Sequence, residues 1–397
     1  MTAAAAVLPR ASGRAAQRER WRMGAEARTI TFVSACLLLV GLAVLYSASA
    51  IIATGKGLPA HYYLVTQGTG VFVGAVAFMF AAKLDAERWR EWAWPLLWIT
   101  LVALLATLFA PESIAPRYNG SKRFLYRTSV QPSELGKFVL VVWTAMLVVK
   151  KGELLQRFSK GIMPFVVVLL TLCALVAAEP DLSVAMLYAL LAGIVLFVGG
   201  VRIGHFALLG ALALPLLFRK IERLQYAVLR LTTFLDPGTA AAANSYQLKQ
   251  SLLAVGSGGL AGVGFGEGRQ QYGFLPYQHS DFIASNVGEE WGFIGLATLT
   301  LMYGAYALFG FRIARQARSQ FTQLLAVGLT FVTVLTAYLH IGVVVGLLPT
   351  TGLTLPFVSF GRSNLVLTMF LTGVLVNIGS VRERVSTRRV GDPFAPA

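Results

Sequence analysis

The chain has 397 residues, 56% of them hydrophobic and only 13% charged, with a mean hydropathy of +0.67. Soluble domains carry about 25% charged residues, so the composition argues against a soluble enzyme or a disordered chain and for an all-α polytopic membrane protein. The net charge of +16 is no nucleic-acid footprint, because Lys and Arg are scattered between apolar stretches; anionic membrane lipid is the partner they fit.

The chain opens on a basic tail, 1–28, rich in Ala and Arg and read as disordered. The apolar run after it is too long for a signal-peptide core, so the first span is expected to stay as an anchor. Taking about 20 apolar residues per crossing, the membrane domain, 29–380, divides into about ten spans: 29–53, 64–82, 93–110, 133–149, 162–178, 181–199, 204–218, 284–311, 321–347 and 363–380. Both cysteines, Cys36 and Cys173, fall inside spans and read as packing residues, not a disulfide or a thiolate metal site.

Arg10, Arg14, Arg18, Arg20, Arg22 and Arg28 precede the first span and place the N-terminus in the cytoplasm; ten crossings return the 381–397 tail there. On this topology 21 Lys and Arg lie inside, 12 outside, and Lys137 falls within a span. The outside charges concentrate in two loops. One, between the third and fourth spans, carries Arg117, Lys122, Arg123 and Arg127. The other, 219–283, carries Arg219, Lys220, Arg223, Arg230, Lys249 and Arg269. Basic residues held outside against the topology bias suggest an anionic ligand, although solvated loop surface accounts for them too.

The 219–283 loop opens with Ile221, Leu224, Val228 and Leu231 at helical spacing opposite basic residues, the pattern of a helix lying in the interface. Seven glycines follow between Gly256 and Gly268. With no strand before them and no Gly-Lys-Ser/Thr after, they form neither a dinucleotide-binding turn nor a P-loop.

Polar residues then appear where an apolar chain should exclude them. Gln131, Glu134 and Lys137 open the fourth span; Glu134 and Lys137, three apart, share a helical face and can pair. Glu179 and Asp181 flank Pro180, and Pro349, Gly352, Pro356 and Gly361 break the chain ahead of the last span. Asp281, in FLPYQHSDFIASNVGEEWG, is a lone carboxylate where a polar loop meets an apolar segment. Partial desolvation would make it a better base, yet Asp also caps helices, and position alone leaves both roles open. All these segments reach one outward-facing side. His279 and Asp281 form a His-x-Asp pair, but the other histidines lie at unrelated positions, which argues against a zinc site; a Mg2+ or Mn2+ shared with substrate phosphates needs only one or two carboxylates.

The phrases NGSKRF, QPSELGK, EPDLSVA, YQLKQSLLAVGSGG, FLPYQHSDFI and LPTTGLTLPFVSFGRSNL stand in the order found in the SEDS family, the FtsW and RodA glycosyltransferases of bacterial cell-wall synthesis, which the chain resembles over 29–380. SVQPSELGKF, RQQYGFLP and VSFGRSNL look closer to FtsW. The resemblance implies ten helices, a large extracytoplasmic loop between the seventh and eighth, and polymerisation of lipid II at the outer face of the cytoplasmic membrane, in division for FtsW or elongation for RodA. Its key carboxylate falls on Asp281 and its Gln-Pro-Ser-Glu motif on Gln131 to Glu134. It also implies a class B penicillin-binding protein as transpeptidase partner, with divisome or elongasome proteins around it. Phe124, Tyr277, Ser280, His340 and Arg362 depart from the usual Trp, Glu, Thr, Asn and Gly.

The resemblance and the residues meet in one mechanism. Asp281 is the general base on the acceptor hydroxyl; Arg123 and Lys137 stabilise the leaving pyrophosphate, with a divalent cation where one is used. Glu134 orients Lys137, while Gln131, Ser257 and His279 position substrate. Two rival readings are a lipid II flippase, which suits intramembrane charges and broken helices, and a non-catalytic divisome scaffold.

Overall fold

The computed structural model describes residues 17–117, 122–125, 130–211, 228, 234 and 242–386. The 1–16 and 387–397 tails and most of the expected interfacial helix lie outside the described residues. The rest is a helical bundle. Helices α1 (Ala25–Gly55), α2 (Tyr62–Lys83), α3 (Arg88–Phe109), α4 (Pro132–Lys151), α5 (Met163–Ala178) and α6 (Leu182–Val198) occupy the first six predicted spans. The seventh prediction, 204–218, is helical from 204 to 211, and the rest of it lies outside the described residues. Then come α7 (Ala242–Gly258), α8 (Ile283–Glu290), α9 (Gly292–Arg315), α10 (Gln320–Val344) and α11 (Arg362–Ile378). Among the described residues six helices are long and apolar enough to cross a membrane: α1, α2, α3, α9, α10 and the Phe158–Ala178 segment that includes α5. The chain is thus a multi-pass membrane protein; α6 and α11 are apolar but shorter.

α10 is buried over most of its length and α4 is buried from Pro132 to Val148 apart from Leu135, so these two form the interior. α2 and α3 turn Phe72, Val76, Phe80, Trp98 and Val102 outward, as lipid-facing helices must. Two antiparallel strands, β1 (Gln17–Met23) and β2 (Ser380–Ser386), pair where the tail reading expected no structure.

Two departures from the predicted elements bear on the site. The eighth span begins at Gly292, not 284, because the helix breaks at Trp291 and the eight residues before the break form the separate, wholly buried α8. Phe282, one residue after Asp281, holds the N-cap position of α8 and makes no side-chain cap bond.

Candidate functional site

Asp281 sits half-buried at the end of a tight turn, its amide donating to the Tyr277 carbonyl at 3.0 Å. Tyr277 reaches this geometry with φ of +57°, a left-handed conformation uncommon for a non-glycine residue. The turn is fastened from several directions. Gln278 donates to the Ala48 carbonyl of α1 at 2.7 Å; the Phe360 amide donates to the His279 carbonyl at 2.9 Å; and Ser359 Oγ donates to the Ser280 carbonyl at 2.5 Å. His279 packs against Tyr63, with ring centroids 4.9 Å apart. Burial, with the nearby Lys56 charge, pushes its pKa down to about 4, so His279 is neutral at physiological pH and offers hydrogen bonding rather than charge.

The irregular strap between α10 and α11 runs past this turn. Its prolines and glycines forbid a helix, and its backbone groups are met instead by side chains from the surrounding helices. Ser183 donates to Thr351 O at 2.6 Å, His340 Nδ1 contacts Leu353 O at 2.7 Å, Tyr303 donates to Pro356 O at 2.5 Å, and Gln67 spans the far turn, donating to Ser359 O at 3.0 Å and accepting from the Gly361 amide at 3.2 Å. Gly352 (φ +72°) passes beside the carboxylate: a Cβ there would stand 3.7 Å from Asp281 Oδ2.

A second polar group lies where α3, α4 and α6 meet. Lys137 Nζ pairs with Glu134 Oε1 at 2.7 Å and both are buried, the geometry their three-residue spacing predicts. Arg123 donates to the carbonyls of Glu179 and Pro180 and pairs with Asp181 Oδ2 at 3.5 Å, holding the turn between α5 and α6. Asp181 also caps α6, accepting from the Val184 amide at 3.2 Å. Thr107 of α3 bonds the buried Glu179 carboxyl. Burial pushes that carboxyl up to about 7; Thr107 and Arg123 pull it down and the Asp181 charge adds to the rise. Gln131 joins this group to the first turn of α11, its backbone amide donating to Ser363 Oγ at 3.1 Å and its Nε2 donating to Ser133 Oγ at 3.1 Å.

Gln131, Glu134 and Lys137 thus share the start of α4, Arg123 holds the α5–α6 turn, and His279 and Asp281 lie on the turn that Ser359 and Phe360 of the strap fasten. Ser257 is not brought in: it is exposed on the last turn of α7, and its hydroxyl donates to Ala254 O at 2.8 Å within its own helix. Sequence reasoning missed Gln67, Ser183, Tyr303 and His340 as strap supports. Their only signal was a polar atom inside an apolar run, which does not say what it faces.

Fold and site define a multi-pass membrane protein with a polar site built on a broken helix and a half-buried carboxylate. Residues 27–384 match the FtsW, RodA and SpoVE family of cell cycle proteins. The chain is 37% identical to the probable peptidoglycan glycosyltransferase FtsW of Geobacter metallireducens, over 92% of this chain and 95% of the relative. It is 32% identical to the stage V sporulation protein E of Bacillus subtilis, over 88% and 95%. Among solved structures it resembles a chain of a peptidoglycan synthase complex that coordinates polymerisation and crosslinking (TM-score 0.73, 24% identity, 88% of this chain and 96% of that one). The rod shape determining protein RodA of Thermus thermophilus gives a TM-score of 0.65 at 24% identity, over 88% and 95%. The chain belongs to this family, the SEDS glycosyltransferases, and stands nearer to FtsW than to RodA.

Proposed function

We propose that this protein polymerises lipid II into peptidoglycan glycan strands at the outer face of the cytoplasmic membrane during cell division, with Asp281 as general base. The observation that carries this reading is the half-buried Asp281 carboxylate beside the open backbone of Gly352, in a chain of this family. Asp281 takes the proton of the acceptor sugar hydroxyl as its oxygen attacks the anomeric carbon of the lipid-linked donor. The new C–O bond forms as the bond to the undecaprenyl pyrophosphate breaks, and that pair of electrons leaves on phosphate oxygen. Displacement with inversion needs one base and a good leaving group.

Arg123, through its exposed part, and Lys137 face the leaving charge, with Glu134 orienting Lys137. Gln131 and the neutral His279 position substrate. Among the described residues no three His, Cys, Asp or Glu gather to hold a metal. The donor set that fits a hard Mg2+ or Mn2+ is therefore the Asp281 carboxylate together with substrate phosphates. Bound there, the ion would neutralise pyrophosphate charge.

Ten crossings with both termini cytoplasmic put the site outside, and a class B penicillin-binding protein crosslinks the product. The likeness to a chain of a peptidoglycan synthase complex supports that partner. The test is glycan-strand formation from lipid II by the purified protein with transpeptidase partner and divalent cation, for wild type and Asp281→Asn. Wild-type product with a loss of about 100-fold or more in a folded Asp281→Asn is expected; equal rates would remove the base assignment.

A further inference from the structure

The strap beside Asp281 is pinned by carbonyls. Thr351 O accepts from Ser183 of α6 at 2.6 Å, Leu353 O meets His340 Nδ1 of α10 at 2.7 Å, and Thr354 O lies 3.4 Å from Asn364 Nδ2 of α11. Side chains from three helices thus hold the residues on either side of Gly352, the residue that passes Asp281 Oδ2. His340 is the most constrained of the three. It is 1% exposed, and a carbonyl only accepts, so Nδ1 carries the proton and donates it to Leu353 O. The other nitrogen, Nε2, is buried with no hydrogen-bond partner among the described residues. A neutral imidazole has a single N–H, and here it is spent on the strap; Nε2 is left as a bare acceptor, cheaper to bury unpaired than a charge. A histidine held this way does one thing: it sets the height of Leu353, and with it Gly352, against the carboxylate.

We propose that His340 is a positioning residue for the chemistry at Asp281, acting through the Leu353 carbonyl to hold the strap that forms one wall beside the base. The inference deepens the proposed function and rests on Asp281 being the base. Misplacing a wall of the site costs turnover more than binding, because the reacting groups must be aligned to within fractions of an ångström in the transition state.

The test uses the full chain with its transpeptidase partner and lipid II. Three proteins are compared: wild type, His340→Leu, which fills the space without a donor, and His340→Asn, whose amide nitrogen can replace Nδ1. Expected is a fall of about tenfold in kcat for His340→Leu with KM for lipid II within about twofold, and recovery to within about twofold of wild type in His340→Asn. Hydrogen–deuterium exchange on the same proteins gives a readout independent of activity. Exchange should rise over 349–361 and 277–282 in His340→Leu and return to wild type in His340→Asn. Should His340→Leu fail to fold, Ser183→Ala, which removes the Thr351 bond from a half-buried position, should give the same kcat-only loss and local exchange. Unchanged kcat and exchange in a folded His340→Leu, or a loss that His340→Asn does not recover, overturns the inference. Inactive wild type would instead overturn the proposed function, and the exchange comparison would still decide whether His340 holds the strap.

Discussion

Glu179 shows how a single protonation state can be read from hydrogen-bond arithmetic. Thr107 Oγ lies 2.6 Å from Leu104 O and also bonds the Glu179 carboxyl, but a hydroxyl has one proton to give. If Glu179 is protonated, it donates to Thr107 and Thr107 donates to Leu104, and both hydroxyl protons find acceptors. The second Glu179 oxygen, buried without a partner, is also less costly on a neutral acid. Neutral Glu179 leaves the cluster with Arg123 and Lys137 balanced against Glu134 and Asp181, instead of two cations against three carboxylates. A carboxyl raised from 4.5 to about 7 on folding stabilises the native state fully below the lower value, and that contribution is lost as pH rises through the upper one. The melting temperature in detergent should therefore fall between about pH 5 and about pH 8, and Glu179→Gln, fixed in the neutral form, should flatten the fall. An equal slope in both proteins would show that Glu179 does not titrate there. His279 has the opposite sign. Its pKa is lowered to about 4, so it favours the fold above its ordinary 6.5 and loses that contribution as pH falls from there to about 4. His279→Gln, which has no titratable ring, should flatten the fall in melting temperature between about pH 6.5 and about pH 4, and an unchanged slope would show that His279 does not titrate there.

At the scale of elements, the glycines between 256 and 268 find their explanation in the break between α8 and α9. The amides of Val263 and Gly264 donate to the carbonyls of Glu289 and Glu290 at 3.0 and 3.1 Å, satisfying the end of α8. The carbonyls of Gly259 and Leu260 accept from Phe293 and Ile294 at 2.9 and 3.1 Å, satisfying the start of α9. The buried Glu289 carboxylate then takes the amides of Arg269 and Gln270 at 2.8 and 3.3 Å, tying down the next stretch of loop. The sequence excluded a nucleotide loop but could not supply this partner, because the helix it completes lies about 30 residues away. Its apolar run also joined α8 to the eighth span, since periodicity does not register a backbone break at a single glycine. Gly292 sits at that break with φ of +67°, and a Cβ there would stand 2.4 Å from Gly262 N. Gly292→Ala should thus cost about 1–3 kcal/mol from backbone strain and contact with main chain that cannot move aside. Gly256→Ala, in α7 with nothing within 4 Å, should be neutral or slightly stabilising. Thermal melting of the two variants is the check, and equal melting temperatures would mean the break is not held as described.

Across the whole molecule, the distribution of polarity separates an enzyme from a lipid carrier. The Glu134–Lys137 pair, the Arg123–Asp181 turn, the strap and Asp281 belong to the start of α4, the α5–α6 turn, the segment between α10 and α11 and the turn ahead of α8, which form one end of the bundle. Further along α10 and α11 the polar side chains include Thr330, Thr336, Thr368 and Thr372, each donating to the carbonyl one turn back at 2.6 to 2.8 Å. Such hydroxyls satisfy themselves within the helix and line no hydrated route. A carrier for a pyrophosphate lipid needs charge-bearing groups along a path that opens to each side in turn, whereas the buried charged pair of α4, Glu134 and Lys137, lies at its Pro132 end, and Lys150 and Lys151 in its last turn are not buried. Much of this was legible in the sequence, because Glu134, Lys137, Glu179 and Asp181 stand out in apolar surroundings. The strap's supports were not, because Gln67 and His340 are single polar residues whose partners lie 292 and 13 positions away. In proteoliposomes loaded with lipid II in both leaflets, the protein with its transpeptidase partner should convert the outer-leaflet lipid into glycan while leaving the inner-leaflet pool in place. Accessibility of the lipid headgroup to an impermeant reagent, measured beside strand length, separates the two behaviours. Depletion of the inner pool without polymer would assign the one-sided polar site to lipid release after transport, and Asp281 would then be part of a gate rather than a base.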